Sequence, residues 1–170
     1  MSSGLSNLGI VHTAISLVAV AAGLIALARD GQIVSGNRIG RLYLWATVLT
    51  CLTGFGIFAH GGFGKPHALG VLTLIVLGIA WGAGRLGWFG RAAPYVEVVA
   101  YSTSFMFHWI PAITETTTRL PLGAPLLASP EAPQLQAVAG LLFMLLIVGV
   151  TLQLRRLRRR LGAGGAALAA

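Results

Sequence analysis

Residues 43–82 read "YLWATVLTCLTGFGIFAHGGFGKPHALGVLTLIVLGIAWG", two long apolar runs separated by a glycine-rich turn. Charged residues are absent from 42–64 and from 66–84, so that Lys65 stands alone between the two runs. Each run approaches the roughly 20 apolar residues that a helix needs to cross about 30 Å of hydrocarbon. The stretch therefore predicts two membrane-spanning helices joined by a short turn.

Three further segments have the length and apolarity of a membrane span. Residues 8–28 and 132–154 carry no charge, and residues 93–116 are also long enough, although they include Glu97 and His108. Charged residues make up only 9% of the chain, against roughly 25% in soluble proteins. We therefore predict an all-α, polytopic membrane helix bundle of five transmembrane helices. Their predicted positions are about 8–29, 41–61, 66–87, 93–116 and 134–154.

Lysine and arginine fall almost entirely on one side of this predicted bundle. When the loops are assigned to alternating sides, one side holds only Lys65 and Arg119. The other side holds Arg29, Arg38, Arg41, Arg85, Arg91, Arg155, Arg156, Arg158, Arg159 and Arg160. Because cytoplasmic loops are enriched in lysine and arginine, the N-terminus is expected outside and the C-terminus in the cytoplasm. The predicted location is the bacterial inner (plasma) membrane.

In this prediction residues 1–154 form a single transmembrane bundle, and residues 155–170 form a basic juxtamembrane segment with a low-complexity tail. Besides the bilayer itself, anionic lipids are expected partners of the basic cluster Arg155, Arg156, Arg158, Arg159 and Arg160. Nucleic acid is not an expected partner, since these arginines have no folded basic domain around them. Partner membrane proteins, or a second copy of the chain, could dock on the glycine-rich helix faces.

All four histidines are predicted to lie in the outer half of the membrane. His12 begins the first helix, and His108 lies about two-thirds along the fourth. His60 and His67 bracket the glycine-rich turn. Imidazoles on facing helices are the axial ligands of haem in helix bundles, and these four histidines are therefore candidate cofactor ligands. For His60 and His67 a plainer interpretation stays open, in which they only hydrogen-bond water and the loop.

Imidazole also suits copper or zinc, and a carboxylate can complete such a site. The sequence therefore proposes a second ligand set of His12, His108 and Glu115 for a transition metal. It does not decide between haem and a metal ion.

The fourth predicted helix carries a polar stripe, which we interpret as a functional lining. Its members Glu97, Tyr101, Ser104, His108 and Glu115 follow one another at steps of four, three, four and seven residues, and so share one helix face. An ionised carboxylate in hydrocarbon costs about 2.5 kcal/mol or more, so this face is expected to contact protein or water. Two acidic residues within the spans are nevertheless few for a proton-driven transporter.

No motif of a known catalytic class occurs. The chain has no serine-hydrolase elbow, P-loop, dinucleotide fingerprint or zinc-protease motif, and Cys51 is its single cysteine. The sequence therefore assigns no catalytic residue and leaves open whether the protein is an enzyme. Three functions remain: a small redox protein that binds haem or a metal ion, a non-catalytic subunit or assembly factor, and a small-solute permease.

Residues 35–78, "SGNRIGRLYLWATVLTCLTGFGIFAHGGFGKPHALGVLTLIVLG", resemble a bacterial family of small predicted multi-pass membrane proteins classed as a domain of unknown function. The shared features are a histidine early in the first helix, a loop ending in a glycine- and arginine-containing run before a tyrosine, and the glycine-rich second turn. The resemblance covers roughly Gly9 to Ala83. Asn37 stands where members often have a histidine. The resemblance implies a multi-helix membrane fold and no particular activity.

Overall fold

The computed structural model describes residues 6–57 and 62–167, with side chains up to residue 163. Within these residues all regular secondary structure is helical, with no strand. The helices are α1 (Asn7–Asp30), α2 (Arg38–Gly54), α3 (Lys65–Leu86), α4 (Ala93–Arg119) and α5 (Pro133–Ala167). A short 3₁₀ turn, Gly90–Ala92, leads into α4. The predicted all-α fold is confirmed.

The second and fifth helices differ from their predicted bounds. α2 begins at Arg38 because the side chain of Asn37 accepts a hydrogen bond from the Gly40 N–H at 2.8 Å, which caps the helix N-terminus. It ends at Gly54, where the chain turns, and not at residue 61. α5 continues to Ala167, because the arginines that follow residue 154 are good helix formers. The predicted juxtamembrane tail is therefore helical up to that residue.

Three helices, α1, α3 and α5, are each long and apolar enough to cross a membrane. α1 has 24 residues and α3 has 22. α2 has only 17 residues, and α4 carries the polar stripe. The membrane character predicted from composition is confirmed, whereas the number of spans and their orientation stay predictions.

The chain divides into two compact units, Met1–His108 and Trp109–Ala170, with the boundary inside α4. The core of the first unit takes residues from all four of its helices, and α1, α3 and α4 contribute alanines to it. Small residues allow helix backbones to approach closely in lipid. The buried core residues are Ala22, Ala26, Ile33, Tyr43, Leu44, Leu77, Ala80, Ala100 and Tyr101.

Two glycines of the first unit occupy places where no side chain fits. A Cβ atom at Gly40 would overlap the carbonyl group of Val34, because the loop between α1 and α2 lies directly against the start of α2. A Cβ atom at Gly84 would overlap the carboxylate of Glu97 and crowd the hydroxyl of Ser35. The loop, α2, α3 and α4 thus meet at close range at this end of the unit.

The second unit consists of the end of α4, the connecting segment and α5. Ile110 and Ile113 of α4 line a small cavity together with Leu135, Val138 and Leu142 of α5. The middle of α5 exposes its apolar side chains, as a helix in contact with lipid would. Glu115 and Arg119, four residues apart on α4, form an ion pair, and both side chains are at least half exposed.

Candidate functional site

The polar stripe of α4 begins with a carboxylate held by the loop between α1 and α2. The backbone N–H and the hydroxyl of Ser35 both donate to Glu97 Oε1, at 2.9 and 2.8 Å. Ser35 is buried, and Gly84 of α3 closes the other side of the carboxylate. Glu97 is therefore a half-buried acceptor fixed by two donors.

One helical turn further along α4, Tyr101 is fully buried, with 0% of its surface exposed. Its ring packs edge-on against Tyr43 of α2, with the ring centres 6.0 Å apart and an interplanar angle of 73°. Ser35 and Glu97 lie close enough to interact electrostatically with its hydroxyl. Within residues 6–57 and 62–163, however, this hydroxyl has no hydrogen-bond partner of good geometry.

The next contact joins α2 and α4 through two buried hydroxyls. Tyr43 Oη and Ser104 Oγ lie 2.8 Å apart, and both residues have 0% of their surface exposed. The Ser104 hydroxyl donates its one proton to the carbonyl oxygen of Tyr101, at 2.9 Å. Tyr43 must therefore be the donor to Ser104.

His108 lies one turn beyond Ser104 and is buried against α2. Its Nε2 is 3.1 Å from Thr47 Oγ1, and its ring packs edge-on against Tyr43 with the ring centres 6.0 Å apart. Thr47 also interacts with the Tyr43 hydroxyl. The three α4 residues Tyr101, Ser104 and His108 thus all contact the same tyrosine of α2.

His12 of α1 is held in the same way as His108. Its Nδ1 lies 3.1 Å from Thr53 Oγ1, and Gly54 packs directly against its ring. His12 is half-buried. The structure therefore supports each of these two predicted ligands from a threonine of α2.

The remaining predicted ligands are not part of this arrangement. His67 is buried at the start of α3, where its Nδ1 accepts a hydrogen bond from the Gly64 N–H at 3.2 Å. Its ring stacks on Phe55 and packs against Phe63, with centre distances of 6.5 and 5.2 Å. This geometry agrees with the plainer interpretation, in which His67 hydrogen-bonds the loop. His60 lies outside the described residues.

Glu115 does not join the other stripe residues in the first unit. It belongs to the second unit, where it is exposed and paired with Arg119. Among the described side chains, no three of the histidines, cysteines, aspartates and glutamates are grouped so that they could hold a metal ion. A three-ligand set of His12, His108 and Glu115 is thus not found.

The residues that sequence reasoning missed all come from α2 and the loop before it. Tyr43 and Thr47 are one helical turn apart in an otherwise apolar run, a spacing that places them on one face. That spacing could have marked α2 as the partner of the α4 stripe. Ser35 carried no such signal, because its contact with Glu97 depends on how the loop folds back.

Comparisons of the chain with protein-family models, with curated proteins and with solved structures gave no match. The resemblance to a family of small membrane proteins therefore stays a prediction.

Proposed function

We propose that the first unit relays protons across the membrane. The observation that carries this proposal is a succession of hydroxyl, imidazole and carboxylate groups through the buried interior of an apolar helix unit. We call it the polar track, and its members are Glu97, Ser35, Tyr101, Tyr43, Ser104, Thr47, His108 and His12. Ionisable groups inside membrane proteins commonly mark proton relays built from acids and histidines.

The dimensions of the polar track suit this role. Glu97 and His108 are eleven residues apart on α4, a rise of about 16 Å, or roughly half of the hydrocarbon thickness. Thr47 at His108 and Thr53 at His12 are six residues apart on α2, a rise of about 9 Å, so His12 adds a further polar group on α1 towards the end of α2. Neutral imidazole carries one donor and one acceptor nitrogen, and hydroxyl groups both donate and accept hydrogen bonds, so each group can pass a proton to a neighbour.

We further propose the five-span arrangement in the inner membrane, with the N-terminus outside. At 17 residues α2 is about 26 Å long, close to the hydrocarbon thickness, and its neighbours α1 and α3 are long enough to span. In this arrangement Glu97 lies towards the cytoplasmic face and His12 towards the outer face. The polar track then runs between the two sides of the membrane.

The orientation is tested with a reporter enzyme that is active only in the periplasm. Fused after Ala170, the reporter should be inactive, and inserted at Gly62 it should be active, because the excess of arginines keeps the C-terminal side in the cytoplasm. A cytoplasmic reporter at the same two places provides the reciprocal control. The opposite pattern of activity would reverse the direction of the polar track.

The relay itself is tested in liposomes that contain a pH-sensitive dye, with a potassium diffusion potential as the driving force. Wild-type protein should admit protons, and Glu97→Gln should lower the flux about a hundredfold, at the lower end of what one positioned proton-transfer group contributes. The glutamine Oε1 can still accept both hydrogen bonds from Ser35, so the fold should be kept.

Glu115→Gln is the matched control for this experiment. It removes the same charge from an exposed position in the second unit and should leave the flux unchanged. A wild-type flux no higher than that of empty liposomes would refute the proposed function. Equal losses in the two variants would show that charge, and not the polar track, controls the flux.

A second candidate function is redox chemistry with a transition metal at His12 and His108. The observation in its favour is that each imidazole has one ring nitrogen against a threonine hydroxyl, as the second nitrogen of metal-bound histidine usually has a hydrogen-bond partner. Gly54 and the Tyr43 ring pack against the two imidazoles, an arrangement that favours an ion over haem. Metal analysis and an absorption spectrum of detergent-purified protein would detect either cofactor.

A further inference from the structure

The hydrogen bonds of the polar track on either side of Tyr101 form two separate halves. In one half Tyr43 donates to Ser104, and Ser104 donates to the carbonyl oxygen of Tyr101. A carbonyl oxygen has no proton to pass on, so this half ends there. In the other half the Ser35 hydroxyl donates to the carboxylate of Glu97.

Tyr101 lies between these two halves and belongs to both. Its carbonyl oxygen ends the first half, and its hydroxyl lies near Ser35 and Glu97 of the second. That hydroxyl is fully buried and, within the described residues, makes no hydrogen bond of good geometry. Buried polar groups are nearly always paired, and an unpaired one in a native structure calls for a functional reason or a water molecule.

We propose that Tyr101 is the residue through which protons pass between the two halves, with one water molecule between its hydroxyl and that of Tyr43. The inference rests on the proposed proton relay and names the group that controls it. A proton arriving through the water bonds to the Tyr101 oxygen while the Tyr101 proton leaves for Ser35 Oγ. The Ser35 proton passes in turn to the Glu97 carboxylate, so that each hydroxyl keeps one proton and one proton is transferred.

The test compares Tyr101→Phe with Tyr43→Phe in the full chain, by proton flux in liposomes and by thermal unfolding in detergent. Tyr101→Phe removes a hydroxyl that makes no hydrogen bond of good geometry within the described residues, so its unfolding midpoint should stay within about 2 °C of wild type or rise. Its proton flux should fall at least about tenfold. Tyr43→Phe removes the donor to Ser104 and should lower the midpoint by about 3 °C or more.

Each of the other possible results contradicts a different part of the inference. If Tyr101→Phe unfolds as early as Tyr43→Phe, its hydroxyl is a structural partner of Ser35, and the inference is overturned. If Tyr101→Phe conducts protons like wild type, Tyr101 is not in the path, while the proposed relay stands. If wild-type protein conducts no protons, the relay and this role of Tyr101 fall together.

Discussion

Replacing Gly40 by alanine is expected to lower the free energy of unfolding by about 3 kcal/mol, the upper end of what overpacking usually costs. The added Cβ would overlap the Val34 carbonyl group, which is backbone and cannot rotate away as a side chain can. The loop would have to move away from α2. Because Ser35 belongs to this loop, the movement would also separate Ser35 from Glu97. Denaturant unfolding in detergent, followed by circular dichroism, measures the change.

Gly36→Ala is the control, because it adds the same methyl group to the same loop. Nothing lies within 4 Å of a Cβ at this position, so stability should be unchanged or slightly higher. Similar unfolding curves for the two variants would show that the loop does not lie against α2 as described.

Replacing His108 by glutamine is expected to lower proton flux about a hundredfold. Glutamine can still hydrogen-bond the Thr47 hydroxyl, so packing should be largely kept, but an amide cannot accept a proton on one ring nitrogen and release one from the other as imidazole can. The liposome assay described for Glu97 measures the effect. The same variant separates the two candidate functions. If the protein is a metal site and not a proton relay, His108→Gln should lose the bound metal, and wild-type protein should show no proton flux.

His67→Gln is the matched control for this variant. It also exchanges a buried histidine for an amide, but at the start of α3, where His67 hydrogen-bonds the loop and packs against Phe55 and Phe63. Proton flux should therefore stay at the wild-type level. A flux that falls equally in both variants would point to general damage to the unit.

The polar face of α4 could be predicted from the sequence because it depends on local helix geometry alone. Steps of three and four residues place Glu97, Tyr101, Ser104 and His108 on one side of any helix, and the structure has these four in the first unit. Glu115 follows the same arithmetic but lies beyond the unit boundary, where α4 has different neighbours. The spacing of residues shows which of them share a face of the helix, but it does not show where along the helix the neighbouring elements change.

The partners of that face could not be read from periodicity. Which side of α2 meets α4 depends on how the two helices are rotated, and this is set by packing across the whole unit. The glycines near the histidines illustrate the same limit. A glycine next to a histidine could have left room for a cofactor, but the space beside Gly54 is occupied by the ring of His12 itself. The Asn37 cap of α2, in contrast, follows a local rule that the sequence already displays.

The unbroken length of α5 has a mechanical consequence. Residues 155–167 add about 20 Å of helix beyond the apolar part, and no proline interrupts the helix after Pro133. The five arginines therefore lie on a rigid continuation of the helix and not on a flexible tail. A twist or pull applied at the basic end is therefore transmitted along the helix axis to the apolar part of α5, whereas a flexible tail would absorb it.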